Sequence, residues 1–187
     1  LAGFRVSDSV LVMGSGITGL LHIQLARALG AGRIVATDIS GFRLGAASRF
    51  GADHTVGAAE DVASLLRNVN EGRLADMVIV CTGARQAIED SFRLVEPGGT
   101  ILFFAPSAPE AELRIPYNEF WWSGIKTVSS YAASPSDLAT ALELIRAKRV
   151  DVAGMVTHRL ALKETLAGFR MVEEAGDSIK VIIDPCL

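Results

Sequence analysis

The stretch Val10–Asp38, "VLVMGSGITGLLHIQLARALGAGRIVATD", restricts the fold more than any other part of the chain. "VLVM" is a continuous apolar run and reads as a buried strand. Gly14, Gly16 and Gly19 follow it at once. Ile17, Leu20, Leu21, Leu25, Ala28 and Leu29 then recur at helical spacing, and Gly30 and Gly32 close the helix. "RIVATD" is a second buried strand. A strand that passes through a glycine turn into a helix and back to a strand is one βαβ unit. It commits the chain to a parallel sheet.

The same alternation continues. A helix is expected over Phe42–Phe50, a strand at "HTV", a helix over Val62–Val69, a strand at "MVIVC", a helix over Ala84–Phe92, a turn at "EPGG" and a strand at "TILFFA". Residues 106–120, with three prolines, read as a loop, and "IKTVSSYA" as a sixth strand. Ser134 is placed to cap a helix with Pro135 at its first position and Asp137 three residues on. Leu138, Ala141, Leu142 and Ile145 form its apolar face. The chain closes with a strand ("MVTHRL"), a helix carrying Leu162, Leu166 and Phe169, and a strand ("IKVIID"). The expected fold is α/β, a doubly wound Rossmann arrangement. It has a six-stranded parallel sheet covered by helices on both faces and a strand-helix-strand return segment after it. Residues 1–132 form the nucleotide-binding domain in this reading, and 133–187 the last helix and the return segment.

With 187 residues, half of them hydrophobic, a sizeable core is feasible. The net charge of −3 and the lack of a basic stripe exclude a nucleic-acid partner from the expectations. No apolar run approaches the roughly 20 residues of a membrane span, so no membrane role is expected. Cys81 and Cys186 are far apart, without a CxxC pair, which fits a reducing cytosol. A chain that begins with leucine is expected to be part of something longer.

The glycines read as a phosphate-binding turn. Gly14 permits the tight bend, Gly16 lets a pyrophosphate approach the backbone, and Gly19 lets the helix pack against the sheet. The helix amino terminus then offers free N–H groups and partial positive charge. Asp38, ending the second strand, is placed to accept hydrogen bonds from the adenosine ribose. Its charge would repel a 2′-phosphate, so NAD is expected over NADP. Arg43 is expected over the adenine or on a ribose hydroxyl. A glycine turn in a protein that binds nothing is the bland alternative, and the whole unit argues against it.

"DSVLVMGSGITGLLHIQLARALGAGRIVATDISGFRLGAASRFGADHTV", "EPGGTILFFAP" and "THRLALKETLAGFRMV…IKVIIDP" resemble the coenzyme domain and closing segment of the zinc-dependent medium-chain dehydrogenases. This is the alcohol, sorbitol and threonine dehydrogenase group, and "DISGFR" is most similar to its sorbitol and threonine branch. The resemblance implies that Ile17 and Thr18 sit at the pyrophosphate turn and that Cys81, Thr82 and Gly83 line the adenosine side. It implies that Phe104, Ala105, Ser130 and Tyr131 hold the nicotinamide carboxamide. For Phe104 and Tyr131 the alternative is plain core packing. Ser130 stands where the sorbitol branch often has an arginine.

The family also implies a catalytic zinc that polarises an alcohol or polyol, held by cysteine, histidine and an acid of an amino-terminal domain. His22, His54, His158, Cys81 and Cys186 lack ligand spacing, so no catalytic or metal residue is assigned, and the histidines are read as structural or superficial. The chain alone is expected to be inactive. A homo-oligomer is expected, with "IKTVSSY" as an edge strand pairing across a two-fold. Three rivals were weighed. A short-chain dehydrogenase needs Tyr-x-x-x-Lys, but Tyr117 is followed by Trp121 and Tyr131 by Pro135. A methyltransferase has an acid in the same place but a different glycine loop. A non-catalytic nucleotide-sensing module would show the same motif, though not the proline loop and closing segment.

Overall fold

A computed structural model describes residues 2–174 and 176–187. Its elements run β1 (Ser9–Met13), α1 (Ile17–Ala28), β2 (Arg33–Asp38), α2 (Gly41–Arg49), β3 (His54–Gly57), α3 (Val62–Val69), β4 (Ala75–Val80), α4 (Arg85–Leu94) and β5 (Val95–Phe103). Then come α5 (Tyr117–Ser123), β6 (Lys126–Ser129), α6 (Pro135–Arg146), β7 (Val156–Ala161), α7 (Thr165–Glu174) and β8 (Lys180–Asp184). Strands β1 to β6 make one sheet in the order β3-β2-β1-β4-β5-β6, with every pairing parallel. β7 and β8 pair in a separate parallel sheet of two strands. The α/β doubly wound fold is as expected.

Successive side chains of a strand point to opposite faces, and this divides the core in two. Val10 and Val12 of β1 join Ile34, Ala36, Met77, Ile79 and Leu102 under Leu20 and Ile23 of α1. Leu11 and Met13 join Val35, Val78, Val80 and Ile101 on the other face, under Val62, Leu66, Ile88 and Phe92 of α3 and α4. Strands buried on both sides need no polar alternation, which is why they read as apolar runs.

Several boundaries differ from the sequence reading. "EPGG" is not a turn outside the strand. Val95 already pairs with Ala75, the register shifts, and pairing resumes at Thr100 with Met77. Gly98 takes φ +77°, and a Cβ on Gly99 would lie 2.8 Å from the Asp76 carbonyl oxygen. The chain therefore bulges closely past β4. α4 runs on to Leu94, beyond Phe92. Part of the expected proline loop is helical: Pro116 precedes α5, Gly124 closes it at φ +61°, and Phe120 packs against Phe92 with ring centroids 5.9 Å apart. β6 stops at Ser129, so Ser130 and Tyr131 lie past its end. A single 3-10 turn, Leu162–Glu164, precedes α7, so Leu162 is outside that helix. The cap of α6 is as read: Ser134 accepts from the Asp137 amide, and the Asp137 carboxylate accepts from the Ser134 amide.

Candidate nucleotide site

β1, β2 and β4 end side by side, and the segments that leave them enclose a cleft of about 680 Å³. Gly14 turns the chain at φ +93°, with its amide donating to the Thr37 carbonyl at 2.9 Å. A Cβ there would meet the Cys81 carbonyl oxygen and the Thr82 side chain, both at 3.2 Å. At Gly19 a Cβ would fall 1.9 Å from the Gly14 carbonyl oxygen, so α1 touches the turn through the missing side chain.

Gly16 differs from both. It caps α1 with φ −70°, and the nearest atom to a Cβ there is Arg43 Nη1, at 4.0 Å. Nothing inside the protein requires glycine at this position. What it leaves is bare backbone facing the cleft, at a helix end with no side-chain cap and no acid in its first turn. The first N–H groups of a helix have no partner within it.

Asp38 is buried, with one oxygen accepting from the Ser15 amide at 2.7 Å and the other from the Ser40 amide at 2.9 Å. Ser15, also buried, donates its hydroxyl to the Thr37 carbonyl. The carboxylate thus ties the glycine turn to the start of α2 while still lining the cleft. Arg43, on α2, lines it too, and its Nε is buried without a hydrogen-bond partner among the described residues. A buried, unpaired guanidinium nitrogen calls for an acceptor.

The structure brings Gly14, Gly16, Asp38, Arg43, Cys81 and Thr82 to this cleft. Ile17, Thr18 and Gly19 open α1 and are not among the residues that line it. Gly83 faces the segment after β5, where a Cβ would lie 2.5 Å from the Pro106 carbonyl oxygen. Phe104 and Ala105 both donate their amides to the Val80 carbonyl, and Ser130 donates to that of Phe103. These three gather at the β4–β5–β6 end of the sheet, apart from the cleft. The core-packing alternative fails for Tyr131, which is fully exposed, while Phe104 packs edge-on against His22 with centroids 4.4 Å apart.

His22 donates from Nδ1 to the Thr18 carbonyl at 2.8 Å, and Cys81 Sγ lies 3.5 Å from the same nitrogen. Burial holds the imidazole pKa below its ordinary value and pushes the Cys81 thiol up to about 12. The two side chains meet between α1 and the end of β4. Among the described residues no three His, Cys, Asp or Glu side chains are grouped to hold a metal ion. No helix among them is long and apolar enough to cross a membrane.

Sequence reasoning missed the walls of the cleft. Ala58 and Ala59 after β3, and Ala84 and Ala87 at α4, line it on facing sides. Their one signal was small size just past a strand end, which suits a flat apolar ring and is too common to single out.

The family model for zinc-binding dehydrogenases matches residues 18–147. A sorbitol dehydrogenase from Halalkalibacterium halodurans is 30% identical over 185 residues, covering 95% of this chain and 52% of that protein. An alcohol dehydrogenase from Thermus sp. ATN1 superposes with a TM-score of 0.87 at 26% identity, over 96% of this chain and 52% of that one. A Sinorhizobium meliloti protein solved bound to NADP has the same fold, with a TM-score of 0.88 at 23% identity, over 98% of this chain and 54% of that one. The chain spans about half the length of the curated relatives it matches.

Proposed function

Since this chain belongs to the zinc-binding dehydrogenase family, a family of oxidoreductases, we propose that it is the NAD(H)-binding and orienting part of an alcohol or polyol dehydrogenase. Gly16 carries this reading. It alone of the three motif glycines has no internal reason to be glycine, and it opens onto the cleft. A pyrophosphate laid there would meet the free N–H groups and positive end of α1. Asp38 would receive the adenosine ribose, and Arg43 Nε would gain the acceptor it lacks. The alanine walls would take the adenine. Phe104, Ala105, Ser130 and Tyr131, past β5 and β6 on the same edge of the sheet, would hold the nicotinamide half. The bound dinucleotide would supply a hydride acceptor, and this chain's residues bind and orient it.

The described residues do not fit a zinc site. A catalytic zinc needs three protein ligands, and those would come from the other half of the enzyme, with the substrate pocket. The closing section, 133–187, is proposed to belong with that half. Leu138, Leu142 and Ile145 of α6 and Leu166, Phe169 and Val172 of α7 are exposed, so this section is expected to self-associate when alone. β6 lies at a sheet edge, which supports a homo-oligomer built by strand pairing.

Fluorescence titration tests the reading. NADH is expected to bind, and NADPH much more weakly because of Asp38. In Gly16→Val, circular dichroism should be unchanged and NADH binding lost, because the added side chain enters open space where the phosphates lie. Equal affinity for both cofactors would sink the NAD preference. Unchanged binding in Gly16→Val would move the phosphates off this turn.

A further inference from the structure

Gln24 lies on the sheet side of α1 and is buried, with 6% exposure. Its Oε1 accepts from the Asp151 amide at 2.6 Å, and its Nε2 donates to the Asp151 carbonyl oxygen at 3.3 Å. The side-chain amide therefore pairs with both backbone groups of one residue, as a residue of a neighbouring antiparallel strand would. Nε2 also lies 3.3 Å from Met155 Sδ. The Asp151 carboxylate accepts from the Gly154 amide at 2.8 Å, so the gripped residue sits in a held turn that leads straight into β7.

Among the described residues little else fastens the closing unit. Met155 and Ile179, just before β7 and β8, enter the apolar cluster beneath α1. α6 buries no residue, and α7 buries only Gly168. Apolar contact is non-directional, and two side chains in a cluster permit a range of tilts. A pair of opposed hydrogen bonds to the N–H and C=O of a single residue is directional and selects one.

We infer that Gln24 is a positioning residue that sets the angle of the β7–α7–β8 unit on α1, the helix whose amino terminus faces the cofactor cleft. Its consequence for catalysis rests on the function proposed above. The helix that receives the phosphates would also set where the catalytic half stands relative to the nicotinamide.

Residual dipolar couplings on the 187-residue chain test this, alongside Gln24→Met and Gln24→Glu. Met keeps the length and loses both hydrogen bonds. Glu keeps the shape and the acceptor and loses the donor. In the unaltered chain, couplings from β1–β6 and from β7–β8 should fit one common alignment. In Gln24→Met the common fit should be lost, while each sheet still fits its own internal geometry. Gln24→Glu should depart in the same direction, and it carries the test if the Met variant does not fold. A common alignment retained in a folded variant would overturn the inference. Failure of the cofactor reading would appear separately, as no NADH binding to the unaltered chain with the alignment result intact.

Discussion

β1 and β8 are both five-residue strands in parallel pairings. Every residue of β1 is buried and none of β8 is. α1 and α6 are both twelve residues long; α1 buries five of them and α6 none. "RIVATD" and "IKVIID" are similarly apolar, so composition does not make the difference. What differs is cover. The six-stranded sheet has a helix layer and an apolar cluster on each face. The two-stranded sheet has α7 alone. Parallel strands are usually covered on both faces, and β7 and β8 are covered on one, which leaves most of their residues half-buried or exposed.

The sharpest way to break this contrast is a matched pair of glycine substitutions. In Gly19→Ala the new Cβ lies 1.9 Å from a backbone oxygen of the glycine turn, and neither side can yield cheaply. A loss of about 3 kcal/mol or more is expected, together with NADH binding. In Gly168→Ala the Cβ meets only side-chain ends of Ile183, Leu160 and Val181, at 3.1 to 3.4 Å. Those ends can shift, and alanine favours the helix, so the change should stay within about 1 kcal/mol. Urea midpoints measure both. Equal losses would mean that the closing unit is as tightly packed as the sheet.

Asp38→Gly comes next. NADPH discrimination should shrink as the repulsion of a 2′-phosphate disappears. NADH should also weaken, because the Ser15 and Ser40 amides lose their acceptor and the turn loosens. Hydrogen bonds to a charged group contribute about 2 kcal/mol each, so stability should fall as well. Unchanged NADH affinity would show that the carboxylate does not shape the turn.

Ser134→Ala removes the cap of α6. Such caps contribute about 1 kcal/mol. On a helix with no buried residue, that loss should speed hydrogen exchange within α6 and leave β1 and β4 protected. Spread of the effect into the sheet would tie the two regions more closely than their burial suggests.

The smallest effect expected is at His22. Burial lowers its folded pKa, so the unfolded chain takes up the proton first as pH falls. Stability should decline as pH drops from the ordinary histidine value toward the lowered one, and be fully present above the ordinary value. Melting temperature against pH should be flatter in His22→Gln over that window. An unchanged profile would place the imidazole in contact with water.

Much of this was legible in the sequence, for local reasons. The glycine turn, Asp38 and the Ser134–Asp137 cap are each fixed by neighbours a few residues away, and they leave a short-range pattern. The grip of Gln24 on Asp151 joins residues far apart in the chain, and a glutamine in a helix looks like any surface glutamine. α5 was hidden because prolines in its approach read as loop. The bulge at Gly98 depends on how closely β4 passes, which no local pattern records. The sequence points Asp38 outward to a ribose and leaves no sign that each of its oxygens also accepts from a backbone amide.

Burial of Cys81 has a practical consequence. The thiolate is the reactive form of cysteine, and with its pKa pushed up to about 12 Cys81 offers almost none at neutral pH. Cys186, just past β8, is exposed. A maleimide dye added to the unaltered chain should therefore mark the tail and spare the cleft. The molecule carries its own attachment point for a spectroscopic reporter, on the less buried of its two sheets.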